Sequence, residues 1–254
     1  MADKTIKNPL RKRILRDIRK EKGKYISIFL FLTFMISIVS GMLVTSLSMM
    51  HTYDDGIETY KLEDGHFSTN SEISVADLQK IADQTDSGTA KATIYKQYFY
   101  NFDYTFEGNS NYSIRLYENR EALNTYSVFE GHAPEKDGEL AIDRLFAENN
   151  NLKIGDTLTF DGKDLTICGT VAVPDYSCLF EKNSDSMFSA TTFTMGFVTA
   201  DYFKEFSESK LTYSFAYRFS DRSLDDRASY DVSTDLMNTL SEQLAPQGNY
   251  LTDF

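Results

Sequence analysis

The chain has 254 residues and a formal net charge of −12, with 25% charged and 14% aromatic residues. This length is enough for one or two domains with real cores, and the acidic balance excludes nucleic acid as a partner, because phosphate binding needs a Lys/Arg surface. Two cysteines, Cys168 and Cys178, are too few for a disulfide framework. Two free thiols are expected rather than a bridge, since Cys168 falls on a predicted strand and Cys178 in a loop after Pro174.

Residues 1–24 are strongly basic. They carry ten Lys or Arg against three acids, a balance of +7, which leaves −19 for the rest of the chain. Asn8-Pro9 predicts the start of a helix and Gly23 its end, and an apolar residue recurs every fourth position from Ile6 to Ile18. Such a helix would lie along the inner leaflet, as a topology anchor, as a docking surface for a cytoplasmic protein, or as both. The cations predicted to meet the membrane interface and its lipid are Arg11, Lys12, Arg13, Arg16, Arg19, Lys20, Lys22 and Lys24.

Residues 25–47, YISIFLFLTFMISIVSGMLVTSL, predict a transmembrane helix. The segment is long enough to cross the roughly 30 Å hydrocarbon core of a bilayer, and its only polar side chains apart from Tyr25 are Ser and Thr, whose hydroxyls can bond a carbonyl one turn earlier. A cleaved signal peptide would have a shorter apolar stretch, and a soluble helix of this length would show a polar face. We therefore interpret the segment as a permanent span.

The charge asymmetry predicts the orientation of this span. Lys and Arg next to a span stay on the cytoplasmic side, so the N-terminus should lie inside and the residues from about His51 onward outside a bacterial plasma membrane. Ser37, Ser40 and Gly41 form a small-residue notch that predicts helix–helix packing in the membrane. Residues 48–63 contain no Pro and only one Gly, and they predict a helical stalk that Asp64-Gly65 ends.

Residues 64–254 predict an extracytoplasmic α+β domain with a mixed sheet and surface helices. Ser74 predicts the cap of a short helix. From Gln97 to Glu107 aromatic residues alternate with polar ones, a strand pattern whose ring face we interpret as core rather than as an exposed platform for a ligand. The segment 111–117 is expected to be the neighbouring strand.

Later segments extend this prediction. We expect a strand over 139–142, a helix over 143–150, and a hairpin turning at Asp161-Gly162 that forms a small β module in its own right. Strands follow over 193–199 and 213–219, with a helix over 200–206 between them, and Ser223 is expected to cap a longer helix. Residues 249–254 resemble the start of another strand, so the chain is expected to be a fragment.

The sequence lacks four motifs that are typical of catalytic or nucleotide-binding sites. It has no P-loop, no H-E-x-x-H, no C-x-x-C and no G-x-S-x-G. His51, His66 and His132 are scattered, and the last two each follow a glycine in an expected turn, where a solvated histidine is commoner than a ligand. We therefore predict a protein that is not an enzyme, with no catalytic, cofactor-binding or metal residues.

The chain resembles the N-terminal part of FtsX-like permeases of ABC transporters, the group that includes the MacB and LolC types. Four stretches carry the resemblance: LRKRILRDIRKEKGKYISIFLF, SGMLVTSLSMM, LEDGHFSTN, and the block GHAPEKDGELAIDRLFAENNNLKIGDTLTF with its continuation GTVAVPDYSCLF. The last is the most specific, with a G-x-x-P loop, an acidic strand–helix and an IGD turn. Family members carry three further spans after the outer domain, and these are absent from this sequence.

The resemblance implies a MacB-like outer core domain and a permease that couples ATP hydrolysis by a cytoplasmic ABC ATPase to movement outside the membrane. The outcome would be export of a lipid, peptide or drug, or a mechanical signal, and a second permease copy or homologue is the expected partner. Two alternatives remain open. One is a single-span envelope protein whose outer domain binds a ligand or partner as a sensor or scaffold, and the other is a membrane-tethered hydrolase.

Overall fold

The structure is a computed structural model that describes residues 20–85, 90–106, 110–176 and 190–253. The chain divides into two compact units, Met1–Asp55 and Gly56–Phe254. The predicted basic helix over residues 8–23 lies largely outside the described residues. Gly23, however, is described, and it lies in the first turn of a helix instead of ending one, because the next helix already begins at Lys22.

The first described helix, α1, runs from Lys22 to Thr59 without interruption. Its 38 residues correspond to about 57 Å at 1.5 Å per residue. Among the described residues it is the one helix that is long and apolar enough to cross a membrane. The Thr33 hydroxyl donates to the Phe29 carbonyl one turn earlier at 2.8 Å, as expected for a polar side chain in an apolar helix.

Eleven strands of the described residues form one mixed sheet in the second unit. They are β1 (Gly65–Thr69), β2 (Ala92–Lys96), β3 (Phe99–Phe106), β4 (Ser110–Glu118), β5 (Ser127–Gly131), β6 (Glu139–Asp143), β7 (Thr157–Phe160), β8 (Lys163–Ala172), β9 (Phe193–Val198), β10 (Leu211–Phe219) and β11 (Leu251–Asp253). The order is β11-β1-β10-β3-β4-β9-β6-β8-β5, with β2 also paired to β10 and β7 to β8. The β4–β9 and β6–β8 pairs are parallel, and the others are antiparallel.

Four helices accompany the sheet in the described part of this unit. They are α2 (Val75–Ala82), α3 (Arg144–Asn149), α4 (Ala200–Phe203) and α5 (Asp226–Leu244). Side chains cap all four: Ser74, Asp143, Thr199 and Asp225 each accept a hydrogen bond from a backbone N–H in the first turn. A short 3₁₀ turn, Pro174–Tyr176, follows β8.

Hydrophobic residues are buried on both faces of the sheet. On β6, Leu140 and Ile142 belong to the larger cluster, which the four helices α2, α3, α4 and α5 also enter, while Ala141 between them belongs to a smaller cluster. All six residues of β9 are buried. This two-sided burial follows from the period of two along a strand.

The aromatic strand is core, as predicted. Tyr98, Tyr100 and Phe102 are all less than 7% exposed and lie in the larger cluster. The side chains of the other two predicted rings, Tyr104 and Phe106, lie outside the described residues. The neighbouring strand β4 pairs antiparallel with β3 and buries Ile114 and Leu116.

Two predictions about the later segments were wrong. The hairpin β7–β8 turns at Asp161-Gly162 as expected, but it is not a separate module, because β8 also pairs with β6 and β5 inside the single sheet. The longer helix α5 is capped by Asp225 and not by Ser223, which instead bonds to Asp221. The expected strand near the end of the chain is present as β11, paired with β1.

Candidate functional site

The C-terminal turn of α1, Gly56–Thr59, belongs to the second compact unit. The helix ends in a Schellman motif, in which the Leu62 N–H donates to the Ile57 carbonyl at 2.9 Å and the Lys61 N–H to the Glu58 carbonyl at 3.3 Å. Lys61 has a φ of +50°, in the left-handed region that glycine usually occupies. The predicted stalk is therefore helical as far as Thr59 and then turns sharply, a few residues before the expected end.

Ion pairs fix this last turn to strand β10 and the segment after it. The Glu58 carboxylate accepts hydrogen bonds from Arg218 at 2.8 Å and from Arg222 at 2.9 Å, and Arg222 also binds Asp64 at 2.6 Å. These hydrogen bonds hold the pKa of Glu58 below its ordinary value of 4.5. The bond from Arg222 has the largest effect, and the bond from Arg218 has the next largest. Asp64 also accepts the Phe219 N–H at 2.7 Å, so the pairs join α1 to the sheet.

Asn124 clamps the turn that follows the helix. Its side chain is 1% exposed and its φ is +50°. Its backbone N–H donates to the Lys61 carbonyl at 3.1 Å, its side-chain carbonyl accepts the Glu63 N–H at 2.9 Å, and its amide donates to the Glu63 carboxylate. The adjacent Thr125 N–H donates to the Tyr60 carbonyl at 3.0 Å. We call this set, Glu58, Glu63, Asp64, Asn124, Arg218 and Arg222, the α1 junction.

His66 extends the α1 junction into the sheet. It lies on strand β1 and not in the turn that the sequence predicted, and its Nδ1 is 2.8 Å from the Glu63 carboxylate. The hydrogen bond to Glu63 raises the pKa of His66 above its ordinary value of 6.5, against the opposing effect of burial. When His66 is protonated, it forms an ion pair with the Glu63 carboxylate.

A buried ion pair lies next to the clamp. The Arg120 guanidinium is 2.6 Å from the Asp175 carboxylate, and the two side chains are only 4% and 6% exposed. Arg120 also donates to the Asn124 carbonyl at 3.5 Å and lies 4.0 Å above the ring of Tyr117. Among the described residues, the Arg120 Nε and one Asp175 oxygen have no hydrogen-bond partner. The pair connects the loop after β4 to the 3₁₀ turn after β8.

A pocket of about 500 Å³ adjoins Arg120 of this pair. Its wall is formed by the β2–β3 connection, the end of β4 with the loop that follows, and the start of α4. Lys96 and Glu118 form an ion pair of 3.3 Å within this wall, and Arg120 lines it as well. The described lining contains no histidine, cysteine or serine. This composition does not test whether the protein is an enzyme, so the expectation that it is not one stays a prediction.

The structure places only some of the site residues that the sequence predicted. Lys20, Lys22 and Lys24 lie exposed around the start of α1, whereas Arg11, Lys12, Arg13, Arg16 and Arg19 lie outside the described residues. Ser37, Ser40 and Gly41 share one face of α1, since they are three and four residues apart, and all are exposed. Their packing against another helix stays a prediction. No local sequence motif marks Asn124 or the Arg120–Asp175 pair, so neither could be predicted from the sequence.

Comparisons with known proteins give little further information. No protein-family model matches the sequence, and no curated protein matches it. A solved structure to which the chain is similar is the extracellular domain of the noncanonic ABC-type transporter YknZ from Gram-positive bacteria, with 8% sequence identity and a TM-score of 0.39 over 74% of this chain and 100% of that one. Likeness at this level establishes neither a shared fold nor a shared function.

Proposed function

We propose that this chain is part of a permease subunit of an ABC transporter, anchored in the bacterial plasma membrane by α1. The N-terminus lies in the cytoplasm and the compact unit from Gly56 onward outside. A separate cytoplasmic ATPase supplies the energy, which the chain passes to its outer domain for export of a lipid, peptide or drug, or as a mechanical signal. The chain itself catalyses no reaction.

The α1 junction is the observation that carries this proposal. Packed side chains, hydrogen bonds and ion pairs carry coupling between parts of a protein, so contacts that attach the last turn of a membrane helix to an outer domain favour the passage of a tilt or rotation. Here α1 continues to Thr59, Glu58 in its last turn pairs with Arg222, and the clamp at Asn124 and the Asp64–Arg222 pair hold the segment that follows. A sensor tethered through a loose linker would not need these contacts. The likeness of four sequence stretches to FtsX-like permeases supports the same function.

Orientation can be tested by thiol labelling of intact cells. Cys168 is a poor target, because burial raises the pKa of its thiol to about 11, and the second thiol is removed by Cys178→Ser. On this background we expect a membrane-impermeant maleimide to label Ser209→Cys, at an exposed position, in intact cells. Ala2→Cys should react only after permeabilisation. The opposite pattern would reverse the proposed topology.

The ATPase partner can be tested by purifying the tagged full chain from the membranes of its own bacterium. We expect a P-loop ATPase to copurify in a fixed ratio and to hydrolyse ATP in the complex. Arg222→Gln should leave the partner bound but change the hydrolysis rate by up to about fivefold, which corresponds to the roughly 1 kcal/mol of a partly exposed ion pair. The matched control is Lys204→Gln, which removes an exposed ion pair with Asp201 that shares no residue with the α1 junction.

Two results would contradict the proposal. Recovery of the chain without any nucleotide-hydrolysing partner would favour the alternative, a single-span envelope protein whose outer domain binds a ligand or another protein. Equal hydrolysis rates in the Arg222→Gln and Lys204→Gln complexes would show that the α1 junction does not transmit motion.

A further inference from the structure

Three side chains that can bind metals, none of them part of the α1 junction, meet at one edge of the sheet. They are His132, Glu139 and Cys168, and one ligand atom from each lies within 4.8 Å of the other two. The His132 Nδ1 and the Glu139 carboxylate are 4.0 Å apart, and the Cys168 Sγ lies 3.4 Å from the His132 carbonyl. Cys168 is buried, Glu139 is half-buried and His132 is exposed, so the cluster opens to solvent on one side.

The backbone builds this cluster from two adjacent strands, β6 and β8, and from the residue that follows β5. Cys168 is a β-bulge on β8, since Leu140 pairs with Ile167 while the next residue, Ala141, pairs with Gly169. A bulge changes the direction of a side chain and is common beside functional sites. On the other edge of β8, Gly131 and Gly169 face each other, and a Cβ on Gly131 would lie 2.9 Å from the Gly169 Cα. The two glycines therefore let the backbone before His132 approach the backbone around Cys168 closely.

Neighbouring backbone groups hold two of the three ligands in position. One oxygen of Glu139 accepts the N–H groups of Glu135 at 2.8 Å and Lys136 at 3.1 Å. The Nδ1 of His132 is 2.8 Å from the Ala133 carbonyl, a bond that favours the tautomer with the proton on Nδ1 and leaves Nε2 as the nitrogen that can bind the metal. The 4.0 Å from Nδ1 to the Glu139 carboxylate therefore places the imidazole ring beside that ligand, not the binding nitrogen itself. Metal-binding histidines and carboxylates are commonly oriented by such second contacts.

We propose that His132, Glu139 and Cys168 bind one divalent cation of the zinc class, with water as the fourth ligand. Sulfur, imidazole nitrogen and carboxylate oxygen are the three ligand types that zinc takes in proteins, at about 2.0–2.3 Å from the metal. Tetrahedral coordination at these lengths brings the ligand atoms to about 3.3–3.7 Å from one another, so the ligand atoms, which lie within 4.8 Å of one another, draw closer when the metal binds. A thiolate and a carboxylate together neutralise the charge of the cation.

The test uses cobalt(II) as a coloured substitute for zinc on the full chain purified in detergent, with Cys178→Ser so that Cys168 is the one thiol left in the sequence. We expect a thiolate-to-cobalt charge-transfer absorption that saturates at one cobalt per chain and disappears when zinc is added. Cys168→Ser should abolish this absorption. His132→Ala and Glu139→Gln should each weaken cobalt binding by more than about tenfold, the loss that even a supporting contact causes.

His66→Ala is the matched control, since it removes another partly exposed histidine that contacts a carboxylate but no thiol. It should leave cobalt binding unchanged. The proposal is overturned if no charge-transfer absorption forms, if the absorption survives in Cys168→Ser, or if His132→Ala binds cobalt as tightly as His66→Ala. Because His132 is exposed, its replacement leaves the fold intact and keeps the test decisive even if Cys168→Ser fails to fold.

Discussion

Replacing Arg120 by methionine is expected to lower the free energy of unfolding of the second compact unit by about 3–5 kcal/mol. The change leaves the Asp175 carboxylate buried at 6% exposure without the cation that lies 2.6 Å away. Methionine keeps an apolar side chain near the Tyr117 ring, so the loss of stability comes mainly from removal of the Arg120 charge. Urea unfolding of the full chain in detergent, followed by the near-ultraviolet circular dichroism of its tyrosines, measures the change.

The loss of free energy of unfolding in Arg120→Met should become smaller as the pH falls. Burial raises the pKa of Asp175 above its ordinary value of 3.8 even beside the opposing charge of Arg120, and removing that charge raises the pKa further. A carboxyl group whose pKa is raised on folding destabilises the folded state above that pKa, and the penalty disappears as the group becomes protonated. The deficit is therefore largest near neutral pH and smallest as the pH approaches 3.8.

The double variant Arg120→Met, Asp175→Asn separates the ion pair from the packing around it. Removing both charges should recover part of the loss, with an interaction free energy of about 0.5–3 kcal/mol between the two sites. Additive losses would show that the two side chains are energetically independent. Arg144→Met, which removes an exposed pair with Glu148, is the control and should change the stability by less than about 1 kcal/mol.

Local patterns predicted most of the elements of this fold. The apolar run of α1, the alternation from Tyr98 to Phe102, the cap at Ser74 and the turn at Asp161-Gly162 each follow from contacts within a few residues. The prediction of Ser223 as the cap of α5 was wrong. Ser223 and Asp225 both suit an N-cap, and the choice depends on where the chain leaves β10, which a local pattern does not contain.

Long-range pairing could not be predicted in the same way. Strand β8 was expected to end a small hairpin module, but it lies between β6 and β5, because its buried residues on both faces suit the interior of a sheet. The residues of the candidate sites could not be predicted for the same reason, because they are also brought together by long-range pairing. Arg120 and Asp175 are 55 positions apart, and Asn124 is 61 positions from Glu63, so only the folded sheet brings them together.

Gly131→Ala is expected to lower the stability of the second unit by about 2–5 kcal/mol, from two separate causes. Gly131 has a φ of +76°, where an L side chain costs about 1–2 kcal/mol. The added Cβ would also overlap the Cys168 carbonyl and lie 2.9 Å from the Gly169 Cα, so that β5 must move away from β8 at a further cost of about 1–3 kcal/mol.

Gly162→Ala separates these two causes, because Gly162 has nearly the same φ, +74°, but no atom within 4 Å of the added Cβ. It should lose only the backbone contribution of about 1–2 kcal/mol in the same urea unfolding measurement. The difference between the two variants is then the free energy of the close approach between β5 and β8. Since that approach brings His132 beside Cys168, Gly131→Ala should also weaken cobalt binding, whereas Gly162→Ala should not. Equal losses of stability in the two variants would mean that the strands can separate at no cost, and the backbone would then not hold the cluster together.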